Sequence, residues 1–514
     1  REMVLGDDFD ISSSGVGSFY ADWDVVGIMY RDWKPSQSHN VSIQGSSGKT
    51  SFYMSLGYNQ NEGQMRFNPD KLDKYTVTMN VTSDITNWLQ IGGRFSYDDK
   101  TYVTPATMRS TYQYLWRWGS FFGPYGTYQG NDFRNDIAYR KQAGDDKYNN
   151  TYTRLGGFLK LKVAKGLSVN ADYTFNIMNG FNRTSALPVR ALDSWGGNIN
   201  SLSDIVKSTS SYIYRDSERD QSYAFNLYGT YEFNLAHRHN FKAMLGVNAE
   251  EGENELSSAK RMNLLDGNLP EFNLATGDQT VGGWHNEWGA AGYFGRINYD
   301  YKGIWLLELS GRYDGSSKFP TADRWAFFPS GSAGYRISEE SFFAPLKKII
   351  NDAKLRVSYG ENGNQAVGSN MFISTVGKYT DANTHWLDAS GVKVVTYGMP
   401  TLVSATLKWE RLQSLNLGGD FNFLNNDLNV TADWYQRTTK DMLAPGQTMP
   451  DVLGADAPKI NAGTLRTRGW ELTLDYHHRF KEFSLYGNFS IGDFKTVITK
   501  WDNDTRLLNT NYSG

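Results

Sequence analysis

Apolar and hydrophilic residues alternate along many segments of this chain, and this pattern constrains the fold more than any other feature. Residues 223–234 show it clearly, and segments 75–82, 428–435 and 470–477 repeat it. Side chains along a β-strand point alternately to its two sides, so each segment predicts a strand with one apolar and one wet face. We expect about sixteen such strands, at the ~9–11 residues that a tilted membrane crossing needs.

The predicted connectors alternate between short and long from one end of the chain to the other. The short ones are Ser46–Lys49, Ser83–Asn87, Ala164–Gly166, Leu235–Asn240, Tyr301–Gly303, Leu424–Asp427 and His478–Glu482. The long ones cover roughly 59–73, 99–150, 182–220, 250–283, 361–404 and 437–463. Two connectors fit less well, because 316–323 is short for an outer loop and 338–352 is long for a turn. Outer-membrane barrels have short periplasmic turns and long extracellular loops, so the asymmetry predicts an orientation.

The composition favours the same all-β class, a transmembrane antiparallel β-barrel. Hydrophobic residues make up 39% of the 514 positions and aromatic residues 15%, with 51 glycines. A barrel needs only a thin apolar skin, aromatic girdles and a polar lumen. A soluble sandwich or propeller is the structural alternative, but sandwich strands are shorter and no repeat of ~40–50 residues is visible.

Charge and motif content give no indication of an enzyme or of nucleic-acid binding. The formal net charge is −3, which creates no basic field, and the chain contains no cysteine. Gly45–Thr50 ends like a phosphate-binding loop, but its glycine spacing is wrong and a tight hairpin turn is expected. The histidines of 237–239 and 477–478 are expected to be solvated turn residues rather than zinc ligands. We predict no catalytic residue, no cofactor and no metal site.

Clustered aromatic residues in or beside the predicted loops are the candidate substrate-binding residues. They are Trp116, Trp118, Phe121, Phe122, Tyr125, Trp195, Trp284 and Trp386. Exposed rings suit stacking on sugar faces or packing against a partner protein. The alternative is that the rings pack among themselves and stiffen the loops.

Several segments resemble the SusC/RagA family of TonB-dependent transporters from Bacteroidetes. The strongest is 299–343, with Arg312, the Asp-Gly-Ser-Ser run 314–317, Phe319 and Trp325. Segments 39–63, 354–365 and 461–474 resemble other family segments and follow in the expected order. The resemblance covers about 30–500.

The resemblance implies a barrel of about 22 strands with a plugged lumen, of which this chain would hold about sixteen. In family terms 1–38 would belong to the first extracellular loop region, 39–500 to the barrel and 501–514 to the start of a further extracellular loop. The plug would precede Arg1 and the remaining strands would follow. We therefore expect a longer polypeptide, which an intact mass near 58.1 kDa would contradict.

The family also implies a function, which is import of a bulky nutrient across the Gram-negative outer membrane. A SusD-like surface lipoprotein would cap the barrel and hand over an oligosaccharide, or a peptide in members of the RagA type. TonB would act through the preceding segment, loop 361–404 would resemble the hinge of the lid, and transporter–lipoprotein pairs would dimerise. A secreted carbohydrate-binding β-protein or glycosidase, and a passive porin, are the alternatives from other classes.

Overall fold

The computed structural model is organised around one large antiparallel sheet. It describes residues 1–20, 22–106, 113, 125–194, 198–379, 386–404, 406–446 and 449–501. The strands are β1 (Phe9–Ile11), β2 (Gly17–Phe19), β3 (Ser36–Ser47), β4 (Thr50–Glu62), β5 (Lys71–Asp84), β6 (Leu89–Pro105), β7 (Thr127–Tyr128), β8 (Asn131–Asp132), β9 (Asp145–Ala164), β10 (Leu167–Ala186), β11 (Val189–Asp193), β12 (Asn198–Val206), β13 (Tyr212–Leu235), β14 (His239–Met262), β15 (Gln279–Tyr301), β16 (Trp305–Ser316), β17 (Trp325–Tyr335), β18 (Ile350–Asn364), β19 (Val376–Tyr379), β20 (Thr396–Pro400), β21 (Glu410–Phe423), β22 (Leu428–Pro445), β23 (Lys459–Arg479) and β24 (Ser484–Lys500). The described residues include the short helices α1 (Val25–Met29) and α2 (Asp136–Gln142).

Sixteen strands pair in the order β3-β4-β5-β6-β9-β10-β13-β14-β15-β16-β17-β18-β21-β22-β23-β24. Each strand therefore lies beside its neighbours along the chain, as in an up-and-down barrel wall. The prediction of about sixteen antiparallel strands is confirmed. Among the described helices, none has the length and apolar content needed to cross a bilayer.

The short and long connections alternate as predicted. Gly48 and Lys49 alone join β3 to β4, and Gly48 has φ +57°, a conformation that glycine adopts without steric cost. The Gly-Lys-Thr segment is thus a two-residue hairpin turn, as expected. The connector 336–349 contains three short 3-10 turns, at Ile337–Glu339, Ser341–Phe343 and Leu346–Lys348. We call the end of the sheet with the short turns the inner end and the opposite end the outer end.

The strands are longer than expected, and the outer connections are correspondingly shorter. The sixteen strands run from 11 residues in β17 to 24 in β13 and β14, where ~9–11 were expected. The loop predicted at 250–283 is only the connection 263–278 in the structure, and the loop predicted at 182–220 is only 187–211. The apolar alternation fades toward the outer end while the backbone pairing continues, because strands beyond the lipid need no apolar face.

The histidine positions also differ from the expectation. His237 lies in a turn with φ +53°, but His239 opens β14 and its Nδ1 lies 2.9 Å from the Tyr299 hydroxyl. His477 and His478 are among the last residues of β23, next to the inner turn. His478 Nδ1 is 2.6 Å from an Asp427 carboxylate oxygen. The predicted turn location was therefore wrong for these three histidines, because the ladder reaches closer to the inner turns than the pattern indicated.

One face of the sheet carries an apolar band between two rows of aromatic rings. On β16, Trp305 stacks on Tyr335 with ring centroids 4.0 Å apart, and Tyr313 stacks on Trp325 at 5.2 Å. Eight residues separate Trp305 from Tyr313, or about 26 Å along the strand. Strand tilt of ~40° reduces this to roughly 20 Å, close to the ~25 Å apolar band of outer-membrane barrels. We call this the lipid face and the opposite one the lumenal face.

A small folded unit sits at the outer end of β3–β13, and we call it the outer cap. It comprises 1–35, 63–70, 125–144 and 187–206 within the described residues. Its buried core residues are Met3, Phe9, Trp23, Val25, Met29, Met65, Tyr125, Phe133, Ile137, Leu192 and Ile199. The segment 1–35 is tied to these loops by backbone hydrogen bonds, for example from Met3 N to Thr127 O at 2.7 Å. Water-facing segments thus fold here around an ordinary hydrophobic core.

Candidate functional site: the outer lumenal wall

The lumenal face of β13–β15, near the outer end, brings together tryptophans, amides and carboxylates. Strand register sets them in three rows that run across the three strands. The rows are Ser222–Gly252–Trp288, Asp220–Asn254–Asn286 and Glu218–Leu256–Trp284. Directly opposed residues in an antiparallel ladder share a face, so all nine side-chain positions line the lumen. We call this set the lumenal wall site.

Two tryptophans border the polar row of this site. Trp284 and Trp288 are four residues apart on β15, which places them about 13 Å apart along the strand. Trp284 is 44% exposed. The row between them carries two amides and the Asp220 carboxylate, so donors and acceptors lie between two apolar ring surfaces.

Gly252 makes room for the Trp288 indole. A Cβ atom at Gly252 would lie 2.3 Å from Trp288 Nε1, so the ring rests directly on the glycine of the neighbouring strand. Lys318, in the connection between β16 and β17, places its Nζ 5.4 Å from the Trp288 ring centroid. The indole is therefore held from two sides, and its position depends on a residue that has no side chain.

Charged groups dominate the lumenal face toward the inner end. A cavity of about 710 Å³ is lined there by residues that include Lys242, Glu308, Lys354 and Arg356. Arg356 donates to Asp420 at 2.8 and 3.0 Å and to Asp433 at 3.2 Å. The lumen thus changes from an aromatic and amide surface at its outer end to an ion-paired surface at its inner end.

An exposed apolar patch lies on the long connection between β18 and β21. The hairpin β19–β20 and the segment between its strands carry Val376, Trp386, Val392, Tyr397 and Met399, all exposed, with Trp386 at 72%. We call these five residues the hairpin patch. The segment is ordered locally, since the side chain of Asp388 accepts hydrogen bonds from the backbone N–H groups of Ser390 and Val392, both at 2.9 Å.

The predicted aromatic residues fall into separate environments. Trp284 lies inside β15 rather than in a loop, on the lumenal wall site, and Trp386 lies in the hairpin patch. Tyr125 is only 8% exposed within the core of the outer cap, where burial raises the pKa of its phenol to about 12. Its ring therefore packs against other residues of the cap and does not offer a surface for substrate. Trp116, Trp118, Phe121, Phe122 and Trp195 lie outside the described residues.

Sequence reasoning did not place Asn254, Asn286 and Asp220 in a candidate site. Asp220 and Asn254 fall within 182–220 and 250–283, which were assigned to loops, and Asn286 lies just beyond the second of these stretches. A usable signal was present, because Trp284, Asn286 and Trp288 recur at every second position and so share one side of a strand.

Comparison with known proteins agrees with this architecture. Residues 166–513 match the family described as TonB dependent receptor-like, beta-barrel. TonB-dependent receptor P26 of Formosa agariphila is 26% identical over 456 residues, which are 86% of this chain and 43% of that protein. TonB-dependent receptor SusC of Bacteroides thetaiotaomicron is 34% identical over 184 residues, 36% of this chain and 18% of that protein.

Solved structures show the same fold. A chain of the RagAB peptide transporter superposes with a TM-score of 0.80 at 21% identity, over 94% of this chain and 53% of that one. The outer-membrane transporter YddB of Escherichia coli gives a TM-score of 0.60 at 10% identity, over 90% of this chain and 55% of that one. The chain spans about half the length of the relatives it matches. It belongs to the TonB-dependent receptor-like β-barrel family, is of the SusC/RagA type, and is a protein of the Gram-negative outer membrane.

Proposed function

We propose that the whole protein imports an oligosaccharide across the outer membrane, driven by TonB and assisted by a SusD-like surface lipoprotein. The observation that carries the substrate class is the lumenal wall site. Its two tryptophans and its row of amide and carboxylate groups face the lumen at the outer end, where a substrate would enter.

Sugar rings present one apolar face of C–H groups and a rim of hydroxyls. Trp284 and Trp288 offer flat apolar surfaces for the first, and Asn254, Asn286 and Asp220 offer hydrogen-bond partners for the second. A spacing of about 13 Å between the tryptophans suits a chain of several sugar units rather than one. The Glu218 carboxylate accepts a hydrogen bond from Asn254 at 3.3 Å, which orients one amide of the row.

The hairpin patch supports the proposed association with a surface lipoprotein. Exposed apolar clusters of this kind mark protein interfaces on otherwise polar surfaces. The patch projects from the outer end on the long connection that resembles the family's lid hinge. In the proposal a SusD-like lipoprotein covers it, and two transporter–lipoprotein pairs associate as a dimer.

An oligopeptide is the second candidate substrate, because the fold matches a chain of the RagAB peptide transporter with a TM-score of 0.80. Tryptophans and amides also bind peptide backbones. Binding should therefore be measured by calorimetry on the detergent-solubilised complete protein, with a panel of oligosaccharides and a panel of mixed oligopeptides. Saturable binding of peptides and of no glycan would overturn the oligosaccharide assignment.

The residue-level test uses Trp284→Ala, with Trp434→Ala as the matched control. Trp434 lies on the lipid face of β22, so its removal leaves the lumen unchanged. We expect Trp284→Ala to weaken glycan binding about tenfold, which corresponds to ~1.4 kcal/mol, and the control to bind like the wild type. Equal affinities in all three proteins would place the substrate elsewhere.

Energy coupling is tested in cells. Uptake of the identified substrate should fall to background in a strain that lacks TonB and recover when TonB is restored. Uptake at the wild-type rate without TonB would contradict active import and favour a passive porin.

A further inference from the structure

The outward surface of β14 and β15 carries a cluster of three metal-ligating side chains above the apolar band. Glu253 lies on β14, and His285 and Glu287 lie on β15. One donor atom from each lies within 4.8 Å of the other two. These residues share the lipid face by register but lie beyond its apolar part, since Glu287 is six residues outward of Tyr293, a ring of the outer aromatic row.

The distances between these donor atoms approach the distances between the ligands of a bound metal ion. His285 Nε2 lies 2.9 Å from a Glu253 oxygen and 3.7 Å from a Glu287 oxygen. Nitrogen and oxygen ligands at ~2.0–2.1 Å around a tetrahedral zinc ion are about 3.4 Å from one another. The two observed separations fall on either side of that value, so small side-chain rotations would complete three corners of a tetrahedron.

The backbone pairing fixes this arrangement. Glu253 and Glu287 are direct cross-strand partners, and His285 is two residues from Glu287 on the same face. Like charges directly opposite each other destabilise a ladder, so this pair is unfavourable unless a cation lies between the carboxylates. The ladder also means that ion binding needs no ordering of the backbone.

The local charge favours a divalent cation. Glu251 and Glu255 flank Glu253 on the same face, which with Glu287 makes four carboxylates. Against them stand Arg219, the cross-strand partner of Glu255, and the His285 imidazole. If the imidazole is neutral, the four carboxylates and the one guanidinium give a local net charge of −3. Gln221 donates a hydrogen bond to Glu253 and helps to orient its carboxylate.

We propose that Glu253, His285 and Glu287 bind a zinc ion on the outer surface of the barrel, with a fourth position open to water. The imidazole nitrogen favours zinc over calcium, which takes six to eight oxygen ligands. The ion would fasten β14 to β15 where both strands have left the lipid. The site faces away from the lumen and is independent of the transport proposal.

Zinc binding by the complete, chelator-treated protein in detergent tests the proposal. Equilibrium dialysis followed by elemental analysis should give one more zinc per chain in the wild type than in His285→Ala, and Glu253→Gln should weaken that site at least tenfold. His39→Ala is the matched control, because His39 is another strand histidine on the same sheet face and it contacts Gln37 and Tyr58 rather than a carboxylate pair. It should bind as much zinc as the wild type, and excess calcium should not displace the ion.

Cobalt provides a second readout that does not depend on stability. Tetrahedral cobalt absorbs visible light far more strongly than the hydrated ion, so the wild type and His39→Ala should develop a band that His285→Ala lacks. Heat-dependent migration on gels verifies that each variant is folded. Equal zinc content and equal cobalt spectra in His285→Ala and His39→Ala would reduce the cluster to a hydrogen-bonded ion pair and overturn the proposal.

Discussion

Large apolar side chains are exposed on the barrel wall but buried in the outer cap. On the wall, large apolar residues such as Leu245, Leu309 and Phe489 are more than half exposed. In the cap, Phe9 and Phe133 are fully buried, with ring centroids 5.6 Å apart in an edge-to-face contact. The wall needs no apolar core because lipid solvates its outer face, whereas the cap lies in water and must bury its rings.

This contrast predicts which mutations should destabilise each region. Mutations that disturb a buried group should loosen the cap and leave the ladder intact. Mutations that place a charge on the lipid face should destabilise the wall and leave the cap intact.

The largest effect is expected at Arg140, which is fully buried in the cap. Its guanidinium donates to the carbonyl oxygens of Phe67 at 2.7 Å and Asn68 at 2.8 Å, and Asn68 donates back to the Arg140 carbonyl at 3.2 Å. Arg140→Ala should cost the cap roughly 3–6 kcal/mol, from two hydrogen bonds to a charged group at ~1.5–3 kcal/mol each. Hydrogen exchange over 125–144 should accelerate accordingly.

The matched control is Arg190→Ala. Arg190 pairs with Asp204 at 3.1 Å, but both side chains are about 60% exposed, and exposed pairs contribute ~0–1 kcal/mol. Exchange of the sixteen strands should not change in either variant. Equal exchange rates over 125–144 in the two variants would show that the cap does not depend on its buried arginine.

A somewhat smaller effect is expected on the wall at Leu309, midway between the two aromatic rows on β16. Leu309→Lys should destabilise the protein by ~2–4 kcal/mol, because the ammonium would lie at the centre of the apolar band. Urea unfolding in lipid vesicles measures it. Ser310→Lys on the lumenal face is the control and should stay within about 1 kcal/mol; equal costs would mean that both faces of β16 meet the same solvent.

The smallest effect is a pH dependence of the cap. Burial raises the pKa of Asp136 to about 6, although nearby Arg140 opposes this. The folded cap therefore holds this proton more tightly than the unfolded chain, so its stability falls as pH rises from about 4 to about 6. Asp136→Asn should stabilise the cap at pH 7.5 by on the order of 2 kcal/mol.

The gain from Asp136→Asn should disappear near pH 4, where the native carboxyl is also neutral. Protease resistance of 125–144 at the two pH values measures the difference. A stabilisation of the same size at both values would exclude titration of Asp136 as its cause.

The parts of the fold that could be predicted are those where lipid imposes a pattern. Alternation identified the strands and the connector lengths gave the order, because an apolar face is compulsory only inside the band. The ends of β13–β15 were missed, since ladder pairing in water leaves no such pattern. The cap was missed for another reason, namely that its core draws single residues such as Met3 and Phe133 from segments far apart in the chain.

The candidate site was predictable only in part. Trp284 was selected as an exposed aromatic residue, but its pairing with Leu256 on β14 depends on how far the ladder extends. No local feature of 250–283 fixes that length. The predicted loop aromatics could not be sorted into binding and packing residues, because Tyr125 and Trp386 differ in burial and not in any neighbouring motif.

The two-faced wall can be tested directly because the chain has no native cysteine. Single cysteines at 307, 308, 309 and 310 on β16, spin-labelled in the complete protein in lipid vesicles, would report contact with oxygen in the bilayer or with a water-soluble nickel chelate. The labels at 307 and 309 should favour oxygen, and those at 308 and 310 should favour the chelate. Accessibility that does not alternate along β16 would contradict a wall with lipid on one side and a wet lumen on the other.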